Sequence, residues 1–256
     1  MKRSYWEDIA PKYEEEIFDV RKHDKKKKIE KALKKYSANA KSIIDIGCGV
    51  GKWLSFLSQL SLEVTGVDIS QKNLDICQST YTNLPVHYKR IDFCIPNIVE
   101  HTYNLALCVN AVLIADHQKR SIFFKNIAST VSENGYLLLV VPSLESKLWA
   151  EQLGFQLNID RFRSITYQGQ EAEKIANNIR QGVWDIDEEP TKHFLEQELD
   201  YTLHELGFTI IKREKIEYDW STEFFNPPKH LGAPYPFDWF FVAQKNTPQS
   251  LRGTIK

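Results

Sequence analysis

The 256-residue chain has no apolar run long enough to cross a bilayer, and Met1 to Asp8 has no apolar segment of the signal-peptide kind. Neither sign of charge dominates, with 33 Lys and Arg against 34 Asp and Glu. These absences predict a cytoplasmic protein without a membrane span. Cysteine is sparse too: Cys48, Cys77, Cys94 and Cys108 are scattered, with no Cys-x-x-Cys pair and no histidine cluster at zinc spacing. They read as reduced packing residues, and no metal is expected. Hydrophobic residues make up 42% of the chain, enough for the sizeable core of one domain with an insertion.

What is present is organised around Ser42 to Trp53. Ile43, Ile44 and Ile46 form a short β-branched run, the pattern of a strand buried on both faces of a parallel sheet. Gly47, Gly49 and Gly51 follow at alternate positions, where the missing Cβ permits positive φ and lets backbone N–H groups approach a ligand. Trp53, Leu54, Phe56, Leu57 and Leu60 then recur at helical spacing, predicting a helix N-terminus after the loop.

Spacing separates the nucleotide loops this could be. A dinucleotide fingerprint needs Gly or Ala directly after Gly51, where Lys52 stands. A P-loop needs four residues between its glycines and Ser or Thr after the lysine; here three intervene and Trp53 follows. The remaining pattern, Asp45-x-Gly-x-Gly-x-Gly, resembles motif I of the class I S-adenosylmethionine-dependent methyltransferases. A second strand, Leu62 to Val67, ends in Asp68, close to the spacing at which such sheets place a ribose-binding carboxylate. Asp68 could equally cap the helix that begins near Ser70.

The resemblance extends along the chain. Tyr5-Trp6-Glu7-Asp8-Ile9-Ala10-Pro11-Lys12-Tyr13 is similar to the opening of many small-molecule methyltransferases, which implies that Tyr13 covers the cofactor's methionine end; core packing is the alternative. Val86 to Ile91 reads as a third strand leading to Asp92 and Phe93, which resemble the family's adenine-binding pair. Tyr103 to Val109 is a fourth strand ending at Asn110, facing the crevice beyond the strand ends. His117 either takes a proton from an acceptor or opens the next helix. Asn134-Gly135 turns into a fifth strand, Tyr136 to Val141. Phe208 to Tyr218 and Phe237 to Lys245 resemble the family's antiparallel end hairpin.

The implied fold is a Rossmann-like α/β domain over residues 1–256. Its seven-stranded, mostly parallel sheet has the order 3-2-1-4-5-7-6, with helices on both faces. Residues 1–36 would form a helical cap. Residues 144–191, with helical stretches around Leu144–Leu153 and Ala172–Ile179, would be an inserted lid or substrate-recognition element. The implied cofactor is S-adenosylmethionine, held by Tyr13, Asp45, Gly47, Cys48, Gly49, Gly51, Asp68, Ile69, Asp92, Phe93 and Asn110. His117, Trp220, His230 and Tyr235 are candidate acceptor contacts, and no catalytic residue is assigned.

The expected reaction is direct methylation of a small organic molecule at O, N or C. Residues Arg21 to Tyr36 carry nine Lys or Arg against Asp24 and Glu30 and read as one amphipathic helix with a basic outer face. That face keeps an RNA or protein methyltransferase as an alternative, although no aromatics interleave with the lysines. A non-catalytic cofactor-binding subunit is the other. Base-modifying enzymes are disfavoured: Asn226-Pro227-Pro228 lies far from the fourth strand and is followed by Lys229, and no cysteine follows a proline.

Overall fold

Strand β1 (Ser42–Ile46) is buried along its whole length. Around it in this computed structural model, which describes residues 2–159, 169–186 and 189–247, lie β2 (Glu63–Asp68), β3 (Val86–Arg90), β4 (Tyr103–Val109) and β5 (Val131–Pro142). After the antiparallel pair β6 (Val183–Ile186) and β7 (Glu189–Lys192) come β8 (Phe208–Glu217) and β9 (Phe237–Lys245). The large sheet runs β3-β2-β1-β4-β5-β9-β8, the expected order with the last two strands renumbered. β1 to β5 pair in parallel, and β9 runs antiparallel to both β5 and β8.

Alternation along each strand builds two cores. Ile44, Ile46, Ala106, Cys108, Leu137, Leu139, Trp239 and Phe241 point to one face, packed under α7 (His117–Thr130) and α10 (Glu196–Glu205) through Phe123, Ile127, Leu199 and Leu203. Ile43, Leu105, Leu107, Leu138, Val140 and Val242 point to the other. There they meet α4 (Lys28–Tyr36), α5 (Leu54–Leu57) and α6 (Gln71–Thr80) through Ile29, Leu33, Leu54, Leu57 and Leu74. Two apolar faces per strand explain why the strands read as near-continuous hydrophobic runs.

Several sequence expectations change. The basic stretch is not one helix. It breaks between α3 (Val20–His23) and α4, where the buried Asp24 carboxylate accepts from Ile29 N at 2.9 Å and Lys27 takes a left-handed φ of 50°. Three of its lysines reach along the surface to the sheet edge: Lys25 pairs with Asp219, Lys26 with Glu217, and Lys28 donates to the Lys215 carbonyl. The helix after the glycine loop shrinks to the single turn of α5. The fifth strand starts at Val131, because Asn134 (φ 61°) and Gly135 make an irregularity within it rather than a turn before it.

The N-terminal segment is α1 (Arg3–Ile9), a 3₁₀ turn containing Pro11, and α2 (Tyr13–Glu16). Glu7 of α1 is bound to the start of α6, accepting from Gln71 N at 2.9 Å, Lys72 N at 3.2 Å and Ser70 Oγ at 3.2 Å. The 144–191 stretch holds α8 (Leu144–Gln156), α9 (Gly169–Arg180) and the β6–β7 pair, which sequence periodicity missed. It is stitched to the C-terminal edge of the sheet: Lys192 N donates to Leu113 O and Phe194 N to Pro142 O.

Candidate functional site

Gly47, Gly49 and Gly51 all adopt positive φ, 72°, 54° and 86°, as their spacing predicts. Their amides, however, are turned inward. Gly47 N and Cys48 N both donate to Val67 O at 2.8 and 2.9 Å, Gly49 N to Asp68 Oδ2 at 2.9 Å, and Gly51 N to Cys48 O at 2.9 Å. The loop is therefore tied to the end of β2 and presents a floor without side chains, not the converging N–H groups of a phosphate cradle. A Cβ at Gly47 would strike Ala111, and one at Gly49 would strike Tyr13, so both glycines are needed for close approach as well as for φ.

Beside Gly47, at the start of this loop, lies a cavity of about 90 Å³, lined by Tyr13, Gly47, Asp68, Ile69, Asp92, Phe93 and Asn110, together with Trp6, Ala111 and Phe123. Asp68 is held by donors from two elements, with Ser70 N (2.8 Å) and Asn73 Nδ2 (3.3 Å) on one oxygen and Gly49 N on the other. Burial nevertheless raises its carboxyl. It thus ties the loop to the start of α6, whose N-cap is Ser70, with Oγ accepting from Asn73 N at 3.2 Å. Asp92 Oδ1 accepts from Cys94 N at 2.8 Å, and the carbonyls of Phe93 and Ile95 are held by the buried Asn126 Nδ2 at 2.9 and 2.7 Å. Phe93 packs against Phe123 with ring centroids 5.3 Å apart. Asn126 on α7 is a positioning residue that no local sequence signal marks.

A second cavity, about 480 Å³, opens beside the first and shares Trp6, Tyr13, Gly47, Val109, Asn110 and Leu113 with it. Asp45 and Cys48 line this one, whereas Gly49 and Gly51 line neither. Asp45 is almost wholly buried, its Oδ2 has no hydrogen-bond partner, and burial with Asp68 nearby pushes it up to about 8. Burial also raises the thiols of Cys94 and Cys108. Cys48 rises chiefly through its contact with Cys77, whose Sγ donates to Gly49 O at 3.1 Å.

Beside Asn110 stands Asp238, near the start of β9. Its Oδ2 accepts from Asn110 Nδ2 and Tyr218 Oη, each at 2.8 Å. Burial raises the Asp238 carboxyl despite those donors, and raises the Tyr218 phenol. His193, Lys147 and Ser146 line the same cavity. The imidazole of His193 is pushed down to about 4, by burial first and then by Lys147. Sequence reading missed these groups because they come from segments far apart in the chain, and nothing local marks Asp238 within an aromatic strand.

The four expected acceptor contacts stand elsewhere. His117 is the exposed first residue of α7, capped by Asp116, whose Oδ1 accepts from Lys119 N. Trp220 is buried in a separate cluster with Ala150, Leu153 and Phe224. His230 and Tyr235 are exposed, and none of the four lines either cavity. Among the described residues no cluster of His, Cys, Asp and Glu could hold a metal, and no helix is long and apolar enough to cross a membrane.

Residues 43–135, from β1 into β5, match the family model described as a methyltransferase domain. The fold is similar to solved structures over most of its length. A SAM-dependent methyltransferase from Methanosarcina mazei is 19% identical with a TM-score of 0.58, covering 80% of this chain and 92% of its own. Magnesium protoporphyrin IX methyltransferase from Synechocystis, solved with bound SAH, is 15% identical with a TM-score of 0.59, over 95% and 98%. A SAM-dependent methyltransferase from Anabaena variabilis is 14% identical with a TM-score of 0.62, over 95% of each chain. No curated protein matches the chain in sequence.

Proposed function

We propose that this chain is a class I S-adenosylmethionine-dependent methyltransferase that methylates a small organic acceptor in the cavity of about 480 Å³. The observation that carries the reading is the inward-turned glycine loop. A dinucleotide or a nucleoside triphosphate wants free N–H groups for its phosphates, and these amides are spent on Val67 and Asp68. A flat floor edged by acidic and apolar side chains suits a nucleoside that carries no phosphate.

In this reading Asp68 accepts from the ribose hydroxyls, Asp92 and Phe93 bind the adenine, and Tyr13 covers the methionine end. The orphaned Oδ2 of buried Asp45 accepts a hydrogen from the amino-acid moiety, directly or through water. When bound, S-adenosylmethionine supplies an electrophilic methyl on sulfonium. The chain's own residues orient and desolvate: Asn110, Gly47 and Trp6 border both cavities, so they hold the two reactants to one line. Such positioning is worth roughly 7–11 kcal/mol of barrier. Residues 144–191 serve as the acceptor-recognition element, since Ser146, Lys147, Ile186 and Thr191 line the larger cavity.

Calorimetry with S-adenosylhomocysteine, NADH titrated in parallel, tests the reading. Saturable binding of the first alone is expected. Binding of NADH alone would overturn it.

A further inference from the structure

We propose that Asp238 is the proton acceptor for an amine substrate, so that the protein is an N-methyltransferase acting on a small aromatic or apolar amine. The inference rests on the methyltransferase reading and adds the acceptor's chemistry. Its base is geometric. Asn110 borders both cavities, and its side-chain amide donates to Asp238 Oδ2 at 2.8 Å, which puts this carboxylate beside the junction where donor and acceptor meet. Tyr218 Oη occupies the same oxygen, so Oδ2 is fixed from two sides. Both of these bonds fall on Oδ2, which leaves Oδ1 for a ligand.

The walls select the class. All three cations lining the cavity are already held by carboxylates: Lys52 by Glu14 and Asp19, Lys147 by Glu151, Arg21 by Glu30. Asp238 has no cation partner among the described residues. The rings of Trp6, Phe18, Tyr218 and Phe237 share the lining, and aromatic faces attract cations. A desolvated carboxylate amid aromatic rings, with every neighbouring cation neutralised, favours an ammonium over an anionic acceptor. Of the other groups on the wall that could take a proton, Asp19 is held by Lys52 and Lys22 N, Asp45 is given to the donor's amino-acid moiety, Glu16 is exposed, Glu223 is only half-buried, and His193 has a lowered imidazole, which makes it a weak base. Asp238 is the buried carboxyl that Asn110 holds at the junction of the two cavities, and burial raises it.

The proton balance closes. An ammonium R–NH₃⁺ gives one proton to Oδ1 of Asp238, leaving the nitrogen its electron pair. That pair forms the N–CH₃ bond while the S–CH₃ bond breaks, its electrons remaining on sulfur as a thioether. The product is R–NH₂⁺–CH₃, and Asp238 releases its proton to water.

The test uses the full chain, labelled S-adenosylmethionine, and phenethylamine and tryptamine beside their matched alcohols and carboxylic acids. Expected are label on the amines alone, and a fall of ~10²- to 10⁴-fold in Asp238→Asn with S-adenosylhomocysteine affinity unchanged. Calorimetry without cofactor gives a second readout: the amines bind the wild type and bind Asp238→Asn at least ~10-fold more weakly, the scale of one charge-assisted hydrogen bond. Label on alcohols or acids, no label on any probe despite S-adenosylhomocysteine binding, or full activity in Asp238→Asn would each overturn the inference. Failure of S-adenosylhomocysteine to bind the wild type would instead overturn the underlying methyltransferase reading. Should Asp238→Asn not fold, Tyr218→Phe, which removes one of the two donors to Oδ2, is expected to lower turnover and amine affinity while cofactor affinity holds; unchanged values would count against the role.

Discussion

The ring of Tyr13 lies over Gly49 so closely that a Cβ at position 49 would overlap the tyrosine hydroxyl. The N-terminal segment thus closes the cleft by direct contact with the loop that forms its floor. Lys52, three residues on, ties the same segment down through Glu14 at 3.2 Å and Asp19 at 3.1 Å.

Gly49→Ala is expected to lose both stability and cofactor affinity. The left-handed φ of 54° alone costs about 1–2 kcal/mol for a residue with a Cβ, and the overlap with Tyr13 adds to it. Thermal melts and S-adenosylhomocysteine calorimetry read the two losses. Adding Tyr13→Ala to Gly49→Ala should recover part of the stability, since it removes the overlap but not the backbone cost. No recovery would mean that the contact does not matter.

Asp68→Ala removes the acceptor for Gly49 N, Ser70 N and Asn73 Nδ2. Cofactor affinity should drop by on the order of 1.5–3 kcal/mol, the worth of hydrogen bonds to a charged group. A folded Asp68→Ala protein that binds S-adenosylhomocysteine as tightly as wild type would remove Asp68 from the site.

Asp45 sets a pH dependence of stability. Its carboxyl, ordinarily near 4, is pushed up to about 8 in the fold. Between those values the folded chain keeps a proton that the unfolded chain has released, so stability falls as pH rises through the window. Asp45→Asn abolishes that loss. Its melting temperature should gain on wild type from pH 5 to pH 8, by the equivalent of a few kcal/mol at the upper end. A difference that is constant with pH would refute the assignment.

Replacing Lys31, Lys34 and Lys35 by Ala should leave S-adenosylhomocysteine affinity and acceptor turnover unchanged. These residues lie on α4, on the opposite side of the sheet from α7, and line neither cavity. A steep fall in acceptor binding between about 50 and 200 mM salt, lost in this triple variant, would instead point to a nucleic acid acceptor.

Much of the fold was legible because its signals are local. Isoleucine runs mark strands buried on both faces, and alternate glycines mark a loop of positive φ. The lysine-rich stretch misled because composition carries no record of the Asp24 carboxylate folding back onto Ile29 N and breaking the helix. His117 and the Trp220–Tyr235 aromatics misled for a related reason. A reactive or aromatic side chain in a loop has no direction until its neighbours pack, and Trp220 was claimed by Ala150, Leu153 and Phe224.

The sequence by itself determined β1 to β4 and the ends at which Asp45, Asp68, Asp92 and Asn110 sit, because period and spacing are properties of neighbours along the chain; the order of the sheet was implied by the family resemblance that those spacings carry. Only the tertiary structure decided two further things. It turned the glycine amides inward, since their acceptors, Val67 O and Asp68, lie on the adjacent strand about twenty residues away in the motif's own spacing. It also joined Asn110, Tyr218 and Asp238 into one hydrogen-bonded group, because β9 enters the sheet antiparallel beside β5 and carries Asp238 to the mouth of the cleft, opposite Pro142.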